Sequence, residues 1–366
     1  MPVTKLNLSE SNGIDQYTLI NEHKTLAVMV LNYGATITHI LTPDKQGHVR
    51  DVVLGFDNYE DYKSTENPYF GAIIGRYANR IGNGQFTVDG QSYQLHINNG
   101  PNSLHGGLEG FDKKLWDVSI LSENPASIQL QLISPDGDQS YPGTLVTQVT
   151  YTVTDKDELE IRYHATTDKD TVLNLTNHTY FNLSGLVLDP HVLSHQVSMS
   201  DEVKGFLKLD KDSLPTGEIG TWEEAPWMNF TGADAGRTIG KRLDKLSNTN
   251  GYDHPYVIHE NYQIDTMEEP LRQAAIVYCP ESGIELDFCT TEPCFQFYTG
   301  NFIPNNILEG TKAQEKTPIG PHSGFCFESQ RPPDAPNKPQ WRSSVLLQKS
   351  DVYGSKTVFT FRVRQQ

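Results

Sequence analysis

Basic residues are scarce in this 366-residue chain: 29 Lys and Arg stand against 46 Asp and Glu, for a formal charge of −17. Such a surface repels phosphate backbones and anionic headgroups, so nucleic acid and membrane are not expected as partners. Cysteine is sparse too. Cys279, Cys289, Cys294 and Cys326 all lie in the last third, with no C-x-x-C pair. That spacing supports neither a disulfide framework nor a zinc site, and the expectation is reduced thiols in a cytoplasmic protein. Long apolar runs are missing: Leu26 to Leu31, the longest near the start, is six residues, a strand's length and far short of a membrane span. The first ten residues hold no apolar leader or cleavage site, so no secretory signal is expected. Asn-x-Ser/Thr triplets such as those at Asn7 and Asn229 then carry no meaning as glycosylation sites.

Several chemical signatures are absent as well. There is no His-Glu-x-x-His, no P-loop, no Gly-x-Ser-x-Gly, and no Gly-x-Gly-x-x-Gly after an N-terminal strand. No cofactor is therefore expected, neither a nucleotide nor a catalytic metal.

What the chain does have is aromatic mass and alternation. Its 36% hydrophobic content is lean, but 17 Tyr, 15 Phe and 4 Trp each bury a large area. Segments starting at Asp117, Ser127, Val146 and Leu159 alternate apolar and polar residues between turn signals such as Ser134-Pro-Asp-Gly-Asp and Thr154-Asp-Lys-Asp. This is the pattern of antiparallel strands with one wet face. Gln85 to Leu95 predicts a hairpin turning at Asp89-Gly90, and Thr357 to Val363 a last strand. Helical periodicity is limited to one short helix expected over Phe56–Tyr62, with Asp57 or Asn58 as its cap. The Pro-rich stretch from Arg331 to Pro339 is flanked by strands and reads as an ordered connector. No linker or repeat interrupts the pattern, which predicts an all-β fold in a single antiparallel domain over residues 1–366.

Four segments place polar, titratable residues inside these patterns. In Asn174-Leu-Thr-Asn-His-Thr-Tyr-Phe-Asn-Leu, strand alternation puts Asn174, Thr176, His178, Tyr180 and Asn182 on one face. That row would make a poor core and a good lining for a polar ligand; the bland alternative is a structural histidine. In Ser323-Gly-Phe-Cys-Phe-Glu-Ser-Gln, alternation separates Phe325 and Phe327 from Gly324, Cys326, Glu328 and Gln330. A carboxylate beside a thiol is partly desolvated and so a stronger base than free glutamate; the bland alternative is an exposed strand-end Glu. His105 sits in the glycine-rich Asn98-Asn-Gly-Pro-Asn-Ser-Leu-His-Gly-Gly, where backbone and imidazole can both approach a ligand. Gly75-Arg-Tyr-Ala-Asn-Arg offers two arginines, Arg76 and Arg80, suited to hydroxyls or an oxyanion. Together they outline an acid/base site of histidine and carboxylate in a polar pocket.

Asn79-Arg80, Pro101-Asn-Ser-Leu-His-Gly-Gly, the Asn174 segment, Gly251-Tyr-Asp-His, Gln296-Phe-Tyr-Thr-Gly-Asn-Phe and His322-Ser-Gly-Phe-Cys-Phe-Glu-Ser-Gln occur in an order that resembles the aldose 1-epimerase (galactose mutarotase) family. The resemblance implies a β-supersandwich and cofactor-free interconversion of the α and β anomers of free hexoses, a small-molecule aldose being the partner. It implies Glu328 as general base, His178 as general acid and His105 as a second imidazole at the reacting centre. Asn79, Arg80, Asp253 and Gln296 match positions that hold sugar hydroxyls. Two stretches depart from the pattern, the loop between Phe302 and His322 and the segment 212–229, and both are expected to border the pocket. The acid/base roles ask for ionised Glu328 and protonated His178, which near neutral pH expects the carboxylate's pKa below the imidazole's. A sugar-binding protein without chemistry and an epimerase of phosphorylated hexoses are the alternatives. A glycoside hydrolase would want a carboxylate pair, and Glu328 has no acidic partner within its motif. Monomer and homodimer both stay open.

Overall fold

The computed structural model describes residues 2–246, 249–305 and 308–364. Among them every helical segment is a 3-10 turn, the longest being the 8 residues Ile239–Leu246. No helix is long and apolar enough to cross a membrane. The alternating segments become antiparallel strands: Asp117–Glu123, Ala126–Ser134, Leu145–Val153 and Glu158–Thr167. They run side by side and join the C-terminal strand Tyr353–Val363. The sheet then continues through Ile284–Thr290, Arg272–Tyr278, Gln196–Met199 and Arg237–Thr238 to nine strands. A second sheet of five runs Pro215–Gly220, Gly205–Leu209, Asp253–Val257, Cys294–Tyr298, Cys326–Gln330. A third, also of five, is the N-terminal meander from Val3–Ser9 to Val49–Asp51.

The first two sheets pack face to face through phenyl rings. Phe288 of the large sheet lies 4.9 Å from Phe327 and 5.4 Å from Phe295 of the second, and 5.3 Å from its own neighbour Phe359. Because side chains alternate along a strand, each ring committed to this interior sends its neighbours to the other face. Along Cys326–Gln330, Phe327 and Ser329 face the large sheet, Ser329 meeting Thr357 at 2.6 Å, while Cys326, Glu328 and Gln330 face away. Along Cys294–Tyr298, Phe295 and Phe297 point in, and Cys294, Gln296 and Tyr298 point out. Register sets Gln296 directly opposite Glu328, and Tyr298 opposite both Cys326 and Asp253.

The hairpin forms as expected, Gln85–Val88 against Gln91–Gln94, with Asp89 (φ 52°) and Gly90 (φ 75°) giving the left-handed pair of a type I′ turn. Two expectations need correction. The helix over Phe56–Tyr62 is a 3-10 turn at Tyr59–Lys63, and Asn58 makes no side-chain cap bond. Asp57 is drawn off to the backbone N–H of Lys312 and the Lys316 ammonium. The Asn174–Leu183 segment is not one strand: Thr176–Asn177 alone forms a ladder, with Ile73–Ile74. Its asparagines compete for the backbone. Asn177 donates to Gly71 O (2.8 Å), and the Asn182 amide accepts from Ser184 N–H (3.0 Å) and donates to Ser323 O (2.9 Å).

The connector after Gln330 is ordered by a feature the sequence did not announce. Arg331 is fully buried, paired with equally buried Glu292, and its guanidinium lies over the Tyr353 ring at 4.7 Å. Its backbone N–H donates to Asn174 Oδ1 (2.9 Å), and Asn174 Nδ2 returns a bond to its carbonyl (3.3 Å). This two-point clamp ties the strand of Glu328 to the segment of His178.

Phe327, 2% exposed, sits at the centre of the ring stack. Truncating it in Phe327→Ala should cost about 3–5 kcal/mol of folding stability, the usual range for emptying a phenyl site in a core. Urea unfolding followed by tryptophan fluorescence measures it, and a loss under 1 kcal/mol would contradict the packing described.

Candidate active site

The outward face of the second sheet forms one wall of a cleft of about 360 Å³. All seven residues singled out from the sequence line it: Asn79, Arg80, His105, His178, Asp253, Gln296 and Glu328. They come from six separate stretches of chain, so only the fold assembles them. Sheet strands supply Asp253, Gln296 and Glu328 by alternation.

The opposite wall is built from loops in unusual backbone conformations. Tyr69 (φ 67°), Asn79 (φ 66°) and His105 (φ 52°) all lie in the left-handed region, which side-chain-bearing residues enter at a cost and which tends to mark functional sites. Gly106 after His105 lets the loop touch down, since a Cβ there would lie 2.0 Å from Gly75 O. His105 and Asn79 lock each other. Asn79 N–H donates to His105 Nδ1 (3.2 Å), and His105 N–H donates to Asn79 O (3.2 Å). With Nδ1 accepting, the neutral ring carries its proton on Nε2.

At the centre, His178 Nε2 lies 3.6 Å from Glu328 Oε2, and the His105 ring crosses His178 edge-on at 5.3 Å. Tyr180 stacks on His178 at 5.0 Å, and Cys326 Sγ is 3.6 Å from its Nδ1. Burial sets the protonation. It pushes His178 down to about 4 and Glu328 well above the usual carboxylate range. Asp253 raises Glu328 further, while Arg80 opposes. His105 is held well below the ordinary imidazole value by burial first, then by His178, Arg80 and Lys113. The strengthened base expected at Glu328 is thus present, but the order is the reverse of the one the sequence suggested. The carboxyl's pKa lies above the imidazole's because a dry site penalises every charge it holds.

Around this centre runs an amide chain. Asn79 Nδ2 donates to Gln296 Oε1 (3.3 Å), which also accepts from Gln330 (3.4 Å), and Gln296 Nε2 donates to Asp253 Oδ1 (2.6 Å). Gln296 therefore spends its carbonyl and one N–H on protein partners, and it aims Asp253. Arg80 Nε donates to Asn99 Oδ1 (3.0 Å).

Other sequence expectations divide. Of the polar row, His178 and Tyr180 reach the cleft, whereas Asn174, Thr176 and Asn182 do not line it. Arg76 is turned away, its guanidinium donating to the carbonyls of Ser134, Pro135 and Pro142. Glu328 does have an acidic neighbour, Asp253, brought from another strand. None of residues 212–229 lines the cleft; Trp222 packs instead on Phe206 and Tyr256. In the 302–322 loop Phe302 lines it, and residues 306 and 307 lie outside the described residues. Missed were Tyr69, Asn99, Tyr298 and Phe302. Tyr298 was within reach of sequence reasoning, two places beyond Gln296 on the same strand face; Tyr69 had no signal.

His105, His178 and Glu328 place their donor atoms within 4.8 Å of one another, close enough to hold a cation. The same closeness is also what proton transfer among buried, neutral-leaning groups would require.

A dry histidine–carboxylate pair walled by amides, phenols and one arginine defines an acid/base site for a polar, hydroxyl-rich small molecule. The comparisons give it a family. The family model described as aldose 1-epimerase matches residues 15–360. The galactose mutarotase of Bos taurus is 42% identical over 340 residues, 92% of either chain. The aldose 1-epimerase of Escherichia coli is 34% identical over 340 residues, again 92% of each. A crystal structure of an aldose epimerase homologue from C. elegans superimposes with a TM-score of 0.80 at 29% identity, covering 95% of this chain and 98% of that one. The chain belongs to the aldose 1-epimerase family, and its all-β architecture is the galactose mutarotase-like one.

If the three buried donors serve proton transfer and not metal binding, exhaustive chelation should leave catalytic rate unchanged. A loss reversed by adding back a divalent ion would show them to be a ligand set.

Proposed function

We propose that this protein interconverts the α and β anomers of free hexoses such as galactose and glucose. The observation that carries the reading is the 3.6 Å contact of His178 with Glu328 inside a cleft whose other polar groups can hold hydroxyls. Ring opening needs a proton taken from the C1 hydroxyl and one delivered to the ring oxygen. Glu328 takes the first and His178 gives the second. The C1–C2 bond then turns, and closure on the other face of the aldehyde reverses both roles, leaving the enzyme as it began. His105, neutral and carrying its proton on Nε2, donates a hydrogen bond to the oxygen that gains charge. Arg80, Asn79 and Asp253 hold remote hydroxyls, with Gln296 orienting Asp253, so binding energy goes into orientation without fixing one anomer.

The reversed order of pKa values fits this mechanism. The resting form, Glu328 protonated and His178 neutral, carries one proton on the pair, and so does the active form, Glu328 ionised and His178 protonated. Their ratio does not change with pH. The active form is the minority, but it joins a strong base to a strong acid. Among the described residues one arginine and two carboxylates line the cleft, a balance that speaks against a phosphorylated hexose. One domain over 1–366 and a cytoplasmic setting belong to the same proposal, supported by a core cluster that runs from Val3 to Phe361 and by thiols spaced without a pairing motif.

Polarimetry on freshly dissolved α-galactose and α-glucose, with and without protein, tests the activity. In that assay Glu328→Gln should keep the fold and lose ~10²–10⁴-fold in kcat, the usual share of a general base. A folded variant with a near-normal rate would remove Glu328 from the role.

The pH profile of kcat/KM should be bell-shaped. Below about 4 His178 takes a second proton and the pair has no base left, so the rate rises with pH through that value. The rate falls when the pair loses its last proton, as pH climbs through a Glu328 pKa raised above the carboxylate range. His178→Asn should abolish most activity, and what remains should rise with pH and show no alkaline fall, because only ionised Glu328 is then required. An unchanged alkaline limb would pass the acid role to His105.

A further inference from the structure

Tyr298 stands on the cleft face of its strand, and register sets it directly opposite Asp253 on one side and Cys326 on the other. Its phenol oxygen accepts the backbone N–H of Phe302 at 2.9 Å. A phenol has one proton of its own to give, and among the described residues none accepts it. Tyr180, the neighbouring cleft phenol, differs: its proton goes to Pro68 O at 3.0 Å. Burial, then Asp253, Cys326 and Glu328, push the Tyr298 phenol's pKa up, so near neutral pH it keeps its proton and is a donor.

Asp253 is the complement. Its Oδ1 is taken by the Gln296 amide, while Oδ2 has no partner among the described residues. A free donor and a free acceptor thus face the cleft from one paired position. A hydroxyl can satisfy both at once, donating to the carboxylate and accepting from the phenol; a hydrogen or an ether oxygen cannot. Asp253 and Glu328 lie on strands two spacings apart, about 10 Å between backbones, so a hydroxyl held there is across the sugar ring from the reacting carbon.

We infer that Tyr298 is a specificity-determining residue, which together with Asp253 reads one substrate hydroxyl remote from C1. This deepens the proposed activity and rests on it. The bond is made equally in ground and transition states, so it acts on KM and leaves kcat alone.

The test is Tyr298→Phe assayed by polarimetry on galactose, glucose and the monodeoxy derivatives of each. KM for the parent sugars should rise roughly three- to tenfold, the worth of one neutral hydrogen bond, with kcat within about twofold. For one deoxy sugar, the one lacking the hydroxyl read by Tyr298, wild type and variant should have the same KM. A purely structural role, through the lost acceptor for Phe302, would shift KM by one factor for every sugar, deoxy or not. That result, or no shift at all, overturns the inference. Should Tyr298→Phe fail to fold, 3-fluorotyrosine at position 298 keeps the ring and makes a better donor: KM should then fall for sugars bearing the hydroxyl and stay put for the one without it, and a uniform response overturns the inference. Wild-type protein inert on every aldose would instead overturn the activity itself, which separates the two failures.

Discussion

Everything at the active site depends on how the phenyl rings of two sheets fit together. Phe288 and Phe359 offer one surface, Phe295 and Phe327 the other, with centroids near 5 Å where ring attraction and area burial both favour contact. Once Phe327 is committed to that interior, strand geometry leaves Glu328 no direction but the cleft, and Phe295 does the same for Gln296. A slip of one residue would exchange phenyls for carboxylate and amide. Hydrophobic packing is therefore what aims the Glu328 carboxylate, and apolar burial on one face is the source of precision on the other.

The cost of that arrangement is a site hostile to charge. Glu328 is 2% exposed and His178 4% exposed, and both are pushed toward neutrality. In a wetter cleft the ion pair would be the resting state, with each partner solvated and weaker as acid or base. Here the pair holds a proton it can place on either member, and the resting site carries little net charge into contact with an uncharged sugar. Arg80 and Asp253 then act on Glu328 in opposite directions, trimming how readily it ionises.

How much of this was legible in the chain follows from how far each signal reaches. Strands with one wet face declared themselves through alternation, because that pattern is local; Asp117–Glu123 to Glu158–Thr167 stand where it put them. The Asp89-Gly90 turn was legible for the same reason. The Asn174 segment misled because asparagine side chains can bond backbone as well as face a ligand, and the rule of alternation does not know which they will do. His178 was found through that rule although its neighbours were not in a strand. Asp253 as a neighbour of Glu328 was invisible, since 75 residues of sequence separate two groups that one intervening strand brings together. The pKa order was out of reach too, because it depends on burial from all sides.

The Arg331–Glu292 pair has a consequence for how this sequence can drift. Both members are wholly out of water, so losing either alone strands a charge in the interior, a change of about 3–5 kcal/mol for such pairs. Replacing both together by well-packed apolar residues is frequently neutral. A single substitution at either position is thus costly in a way that the joint one need not be, and the backbone of Arg331 also holds the clamp to Asn174. The pair resists single substitution far more than joint replacement, whereas the clamp that spaces the His178 segment from the Glu328 strand is made by backbone atoms of Arg331 and does not depend on which side chain stands at 331.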